Sequence, residues 1–326
     1  MDDKIVVSLI VPLYNEEKYI KNFLLSLKDQ TYPLNKTEWI LVDGKSSDRT
    51  KDIIQKFSKE ENLPVVILDN PKRKTPYALN MAIDKAKGKY IIRLDAHAKY
   101  YPDYIEKCVY YLDNTDADNV GGIAVTKAEG FIGTAISKML STKFGVGGSD
   151  FRTGEGNKYV DTVPFGAFRR EVFKRVGLFN TKLLRSEDND MNARIRESGG
   201  KIWLAEDICF EYFCRDTVSG ILKMALQNGN ALFRTLKENP KAMSVRHFIP
   251  FAFMMSLIIM PILSSLMSCF GYLFALELIL YLLLDVYFSF SDKEFKYGFV
   301  TIWLYPLFHI VYGLGSLAGL FGITFY

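Results

Sequence analysis

VSLIVPLYNEEKYI, residues 7–20, is the stretch on which the fold turns. An apolar run from Val6 to Val11 passes directly into the polar group Pro12-Leu13-Tyr14-Asn15-Glu16, and a helical pattern follows from about Glu17 to Lys28. A strand this uniformly apolar is buried on both faces, which is the condition of a parallel sheet covered by helices. The same succession recurs at WILV (Trp39–Val42), VVIL (Val65–Leu68) and YIIRL (Tyr90–Leu94). Helices are expected at Asp48–Phe57, with Ser47 or Asp48 as N-cap, and at Pro76–Ala86. Over residues 1–240 this alternation predicts an α/β domain with a mostly parallel sheet.

Composition changes near Arg246, where frequent charges give way to apolar sequence. Between Phe248 and Phe290 the only charged residues are Glu277 and Asp285. That run is about twice the ~20 residues needed to cross a bilayer, so it reads as two spans with a turn at Cys269–Gly271. A third apolar stretch, Tyr297–Phe321, follows a short polar insert. The expected organisation is therefore a domain of residues 1–240 and a membrane part of residues 241–326 with about three transmembrane helices. Lys237, Lys241 and Arg246 precede the first span, and Lys293 and Lys296 separate the second from the third. If all three cross, both basic clusters lie on one side, the cytoplasmic side by the positive-inside rule. The other reading is a buried or re-entrant hairpin, because Pro250, Pro261 and Pro306 interrupt the stretches and two carboxylates in lipid are costly. A multi-pass protein of the inner or plasma membrane with a cytoplasmic catalytic domain is the expectation.

A formal net charge of +4, from 41 basic against 37 acidic residues, is too small to indicate a nucleic-acid partner. Cys108, Cys209, Cys214 and Cys269 have no CxxC or framework spacing, which argues for free thiols in a reducing compartment. The N-terminus has too short an apolar run for a secretory signal. The glycine-rich stretch 145–157, GVGGSDFRTGEGN, is expected to be a loop and a candidate lid, ahead of a strand-like segment at Val160–Phe168.

Ligands in parallel α/β sheets bind beyond the carboxyl ends of the strands, so the polar residues there come first. Asp95 and His97 are two apart in an extended segment and can present side chains to one cation. A carboxylate with an imidazole suits Mn²⁺ better than Mg²⁺, although Asp95 can equally cap a helix and His97 occupy an ordinary loop. Asp43 can accept from a base or a ribose hydroxyl, or simply organise its turn with Gly44. In Arg185-Ser186-Glu187-Asp188-Asn189-Asp190 the carboxylates fit ordinary helix capping, and one of them can also serve as a general base toward a sugar hydroxyl. Lys72, Arg73 and Lys74 can approach phosphates or remain solvated. A helix at about Val218–Leu236 reads as interfacial or as packed on the sheet.

VSLIVPLYNEEKYI (7–20), ILVDGKSSDRTKDII (40–54), IIRLDAHAKYYPDYI (91–105) and VPFGAFRREVFKRVGLFN (163–180) with SEDNDMNARIRESGGKIW (186–203), taken in this order, resemble the family 2 glycosyltransferases of GT-A fold. The RLDAHAKYYP wording and the trailing apolar stretches look closest to the succinoglycan and exopolysaccharide subgroup. The resemblance implies an inverting hexosyltransferase that moves a sugar from a nucleotide-sugar donor, usually a UDP-sugar, to a lipid-linked saccharide acceptor at the membrane. It implies that Pro12, Tyr14 and Glu16 frame the nucleotide pocket, that Asp43 recognises the base, and that Asp95 contacts ribose and a divalent metal, Mn²⁺ or Mg²⁺. His97 stands where the family's second acidic metal ligand is expected. Asp188 matches the catalytic base, and Glu187 would orient it or the acceptor. Leu226–Arg234 lacks the Gln-x-x-Arg-Trp pattern of processive members, although Gln227 or Arg234 can still meet the diphosphate. A sugar-phosphate nucleotidyltransferase would carry a glycine- and arginine-rich loop where this chain has PLYNEE. A degenerate scaffold or export component with the same fold is the non-enzymatic alternative.

Overall fold

A computed structural model describes residues 4–154 and 156–325. Its strands are β1 (Val7–Leu13), β2 (Thr37–Asp43), β3 (Val65–Asp69), β4 (Tyr90–Arg93), β5 (Ala98–Tyr100), β6 (Asn119–Lys127), β7 (Lys158–Tyr159), β8 (Ala167–Arg169) and β9 (Ile202–Phe213). Its helices are α1 (Ile20–Lys28), α2 (Thr50–Glu60), α3 (Thr75–Lys85), α4 (Tyr104–Asn114), α5 (Gly130–Leu140), α6 (Lys143–Val146), α7 (Asp150–Thr153), α8 (Glu171–Val176), α9 (Glu187–Glu197), α10 (Val218–Glu238), α11 (Ile249–Leu266), α12 (Ser268–Phe290) and α13 (Gly298–Leu320). Two compact units result: Met1–Val125 with Gly154–Tyr212, and Thr126–Thr153 with Phe213–Tyr326. The second unit thus gathers residues from before the composition break near Arg246. Compactness follows packing, whereas the break marks a change of composition.

The first unit is a mixed α/β sheet with the strand order β3-β2-β1-β4-β8-β6-β9-β5. Strands β1 to β4 pair in parallel, as the apolar runs predict. Beyond β4 the sheet turns antiparallel, through β4 with β8, β6 with β8, and β9 with β5 and β7. Of these additions, β5, β7 and β8 escape periodicity because they are only two or three residues long. The strand-like segment Val160–Phe168 is mostly irregular chain, with β7 ending just before it and only Ala167 and Phe168, the start of β8, in strand.

Every residue of β2 is buried, and α1 buries Ile20, Phe23, Leu24 and Leu27, one stripe at helical spacing. Leu9, Ile10 and Leu24 are fully enclosed, each contributing about 1.5–3 kcal/mol by burial. Helix α2 starts two residues after Asp48, and the Asp48 carboxylate still accepts from Thr50 N–H at 3.0 Å and Thr50 Oγ1 at 2.6 Å.

In the second unit α10 packs along α13 with backbones in near contact. A Cβ on Gly229 would stand 2.0 Å from the Tyr312 carbonyl oxygen, and one on Gly315 would stand 2.1 Å from that of Leu226. The helix predicted as interfacial is thus bound to the third apolar helix. Helices α11, α12 and the segment Phe295–Leu320 are each long and apolar enough to cross a membrane. Few residues of the first two are fully buried, whereas half of those in the third are. Helix α11 ends at Leu266 and Met267 after it is extended, so the break falls slightly before Cys269–Gly271. Glu277 accepts from Ser256 Oγ at 2.6 Å and Asp285 from Ser289 Oγ at 3.2 Å, which offsets part of their desolvation.

The stretch 145–157 is less irregular than its glycines imply. It holds the end of α6 and all of α7, Thr142 Oγ1 caps α6 by accepting from Gly145 N–H at 3.1 Å, and Gly147 closes it at φ 64°. Glu155 lies outside the described residues.

Candidate functional site

The first unit collects its chemistry where β1, β2 and β4 end. After β1, Asn15 turns left-handed at φ 55°, and the β1–α1 and β2–α2 loops interlock there. Asn15 N–H donates to Ser46 Oγ at 2.9 Å, Ser47 N–H to Asn15 Oδ1 at 2.8 Å, and Glu16 N–H to Thr50 Oγ1 at 2.8 Å. This lacing sets where Tyr14 and Glu16 stand. Tyr14 is about half exposed and Pro12 is the half-buried penultimate residue of β1. Asp43 is buried at the end of β2, and its carboxylate accepts from Ser46 Oγ at 2.6 Å and Ser46 N–H at 3.1 Å. Asp43 therefore organises its own turn, and a carboxylate's four lone-pair sites leave capacity for a ligand donor as well.

Glu16, Asp95 and His97 each offer a ligand atom within 4.8 Å of the other two. His97 Nδ1 lies 2.7 Å from Asp95 Oδ1 and 3.3 Å from Glu16 Oε1. No other such group of three exists among the described residues. Burial opposes charge on His97, but the Asp95 carboxylate beside it outweighs this and holds the imidazole well above its ordinary value. Burial would likewise raise Asp95, yet His97 and then Arg93 hold it below the usual carboxylate range. One imidazole nitrogen and two carboxylate oxygens form a donor set that suits a divalent cation such as Mn²⁺, which would replace the shared proton. Glu16, assigned by resemblance to the nucleotide pocket, stands with the metal candidates.

Glu187 and Asp188 open α9 behind Ser186, itself left-handed at φ 62°. Both carboxylates meet Arg93, a residue the sequence reading passed over. Arg93 Nη2 bonds Glu187 Oε1 at 2.9 Å and Nη1 bonds Asp188 Oδ1. The Arg93 side chain is 5 % exposed, with its guanidinium 5.3 Å from the Phe165 ring centre and 5.9 Å from that of Phe179. Its signal in the sequence was a charge within YIIRL, because a buried charge requires partners. Burial pushes the Asp188 carboxyl up to about 6, against the pull of Arg93 and with a further push from Glu187. A base with that value is poised near neutral pH. Asp190 is committed elsewhere, to Arg194 at 2.9 Å one turn along the helix.

Lys72, Arg73 and Lys74 are exposed on a turn held by Asn70, whose Nδ2 donates to the Lys74 carbonyl at 3.0 Å. Gln227 and Arg234 lie on α10 in the second unit, where Gln227 Nε2 donates to the Phe325 carbonyl at 3.2 Å. All four cysteines are unpaired, as their spacing predicts.

Comparison with known proteins agrees with this architecture. Among similar proteins, a dolichyl N-acetyl-alpha-D-glucosaminyl phosphate 3-beta-D-2,3-diacetamido-2,3-dideoxy-beta-D-glucuronosyltransferase of Methanococcus voltae is 28% identical over 321 residues, covering 96% of this chain and 97% of that protein. Succinoglycan biosynthesis protein ExoA of Rhizobium meliloti is 28% identical over 246 residues, 75% of this chain and 74% of its own. The mannosyltransferase PcManGT from Pyrobaculum calidifontis, solved in complex with GDP-Man and Mn²⁺, shares the fold with a TM-score of 0.66 at 17% identity, over 98% of this chain and 88% of that one. The family described as Glycosyl transferase family 2 matches residues 8–177, just over half of the sequence. With its GT-A-like sheet and the strand-end residues in place, the chain belongs to glycosyltransferase family 2 and is a glycosyltransferase.

Proposed function

We propose that this protein is an inverting hexosyltransferase that moves a sugar from a nucleotide-sugar, a UDP-sugar in the first instance, to a lipid-linked saccharide at the membrane. The observation that carries the reading is the grouping of Glu16, Asp95 and His97 at the strand ends of a family 2 fold. The lipid-linked acceptor is supported by the relative from Methanococcus voltae, whose name specifies a dolichyl phosphate sugar, and by three helices apolar enough to cross a membrane. Functionally we divide the chain into a catalytic part, residues 1–240, and a membrane part, residues 241–326. The catalytic part is proposed to face the cytoplasm, since both basic clusters flank the apolar helices on the side that three crossings would make common.

In this mechanism Asp188 accepts the proton of the acceptor hydroxyl as its oxygen bonds to the anomeric carbon. The bond from that carbon to the diphosphate oxygen breaks in the same step, with inversion and no covalent enzyme intermediate. Arg93 holds Asp188 in place and favours its anionic form, while Glu187 shares the guanidinium and is available to the acceptor. Asp43 and Tyr14 flank the nucleotide. A divalent cation held by Asp95, His97 and Glu16 would neutralise the leaving diphosphate.

Membranes containing the protein, incubated with a panel of UDP- and GDP-sugars plus lipid extract, test the reading when glycolipid product is weighed by mass spectrometry. A product that gains one hexose with the wild type and is lost with Asp188→Asn, while nucleotide binding persists, is expected. A wild type that binds no nucleotide with Mn²⁺ and hydrolyses no nucleotide-sugar would instead mark a scaffold that has kept the fold.

A further inference from the structure

Three helices of the second unit are long and apolar enough to cross a membrane, but they are packed in two different ways. Along α11 and α12, between residues 255 and 284, no residue is buried. Residues 268–284 of α12 extend about 25 Å at ~1.5 Å per residue, close to the ~30 Å of a hydrocarbon core. The carboxylate in that stretch, Glu277, accepts from Ser256 Oγ on α11 at 2.6 Å. Such a hairpin suits lipid around it. Helix α13, by contrast, buries Val300, Leu304, Tyr305, Phe308, Gly313 and Ser316, positions spread along its length.

What covers α13 is polar protein. Its start is tied through the insert 291–296 to α5, where Lys138 Nζ meets Asp292 at 2.6 Å and Glu294 at 3.0 Å. At its midpoint His309 Nε2 donates to the Phe144 carbonyl on α6 at 3.1 Å, and one turn earlier Tyr305 Oη meets Thr142 Oγ1 at 2.8 Å. Its second half lies backbone to backbone on α10, where a Cβ on Gly319 would stand 2.4 Å from the Asn230 carbonyl oxygen. Beyond α13 the chain folds back on the same helix: Asn230 Nδ2 donates to the Ile323 carbonyl at 2.7 Å and Gln227 Nε2 to that of Phe325 at 3.2 Å. If α13 crossed a bilayer it would carry these partners with it. His309 at the bilayer centre would place Lys143, next to Phe144, near that depth, and the contact at 226–230 would draw in Lys223 and Arg234, each about one turn away on α10. Charges at such depth are costly. A helix apolar on most sides is equally well explained by burial in protein.

We infer that α13 is not a membrane span. The bilayer takes only the α11–α12 hairpin, while α13 stays with α5, α6 and α10 on the side of Lys237, Lys241, Arg246, Lys293 and Lys296, where the exposed Tyr287 and Trp303 suit a membrane–water boundary. The hairpin alone keeps those basic residues on one side just as three crossings do, but it also leaves the chain after α13 on their side. The inference rests on the membrane reading of the apolar helices and not on the reaction proposed. The full chain, with Cys209→Ser and Cys269→Ser to remove the accessible native thiols, can carry a reporter cysteine either by Lys293→Cys or after Tyr326 on a short glycine-serine linker. Sealed vesicles of both orientations are washed with carbonate and treated with a membrane-impermeant maleimide. Both reporters are expected to react from the same face, with labelling lost when the reagent is confined to the other. Reaction of the two from opposite faces overturns the inference, because it requires a crossing between them. A protease site after Tyr326 in the otherwise native chain, cut from one face or the other, repeats the measurement without the serine substitutions. Protein released by the carbonate wash would overturn the membrane reading, and the inference with it. Nucleotide-sugar hydrolysis by the same vesicles reports separately on the proposed reaction.

Discussion

Replacing Arg93 by methionine removes a cation that both Glu187 and Asp188 touch, while keeping a long, largely apolar stem between Phe165 and Phe179. Asp188 stands at about 6 because burial outweighs the guanidinium's pull. An opposite charge at contact distance lowers a carboxyl by roughly 1–3 units, so its loss should carry Asp188 to about 7–9. The sign follows from the role: a base works only when deprotonated, so activity falls as pH drops through that value. At pH 7 the ionised fraction would fall from about nine-tenths to between about a half and a hundredth, reducing transfer about two- to a hundredfold, with recovery at higher pH. Removing one partner of a buried ion pair also costs stability, on the order of 3–5 kcal/mol, so the variant must be assayed below its melting transition. The measurement is a pH profile of kcat/KM for wild type, Arg93→Met and Arg93→Lys. Lysine keeps the charge without the two-pronged geometry and should restore part of the shift. An acid limb that stays near pH 6 in Arg93→Met, with only the plateau lowered, would refute the assignment of Arg93 as the group that sets Asp188.

Other outcomes follow from the same geometry. Asp188→Asn should abolish transfer, seen as loss of glycolipid product, with calorimetric UDP binding in Mn²⁺ little changed; retained transfer would move the base to another residue. His97→Ala should raise the Mn²⁺ concentration needed for half-maximal activity by about tenfold or more, the equivalent of 1.4 kcal/mol. Wild-type activity that survives excess chelator would remove the metal from the mechanism. Gly229→Leu forces a side chain into the Tyr312 backbone and should destabilise the α10–α13 pair by about 1–3 kcal/mol or more, read as a lower melting temperature in detergent. An unchanged transition would mean that the two helices are not held at that separation.

The parts of this protein that could be read without coordinates are those governed by neighbours in the chain. The parallel strands β1, β2 and β4 announce themselves because burial on both faces demands a near-continuous apolar run, as in Trp39–Val42, and β3 shows a similar run although it is a partly exposed edge strand. Helix α1 shows its buried stripe at intervals of three and four, and the apolar helices are evident from length and composition alone. Short antiparallel strands such as Ala98–Tyr100 and Ala167–Arg169 were illegible, since three residues carry no period and owe their geometry to partners far along the chain. The loop at 145–157 was misread for a related reason. A threonine cap and a left-handed glycine make short helical turns there that composition does not distinguish from coil.

The sequence by itself determined which residues stand at the strand ends, among them Asp43, Asp95 and His97, and that Glu187 and Asp188 begin a helix. Only the tertiary structure decided who meets whom. Glu16 reaches His97 across 81 residues, and Arg93 reaches Glu187 and Asp188 across 94 and 95. The reason is physical: strand identity depends on local pattern, but the pairing of β1 with β4, and the position of α9 over β4, depend on the summed packing of the whole sheet. A buried arginine between two phenylalanine rings has no signature at its own position beyond being a charge in an apolar run, and its partners are defined only once that packing is complete.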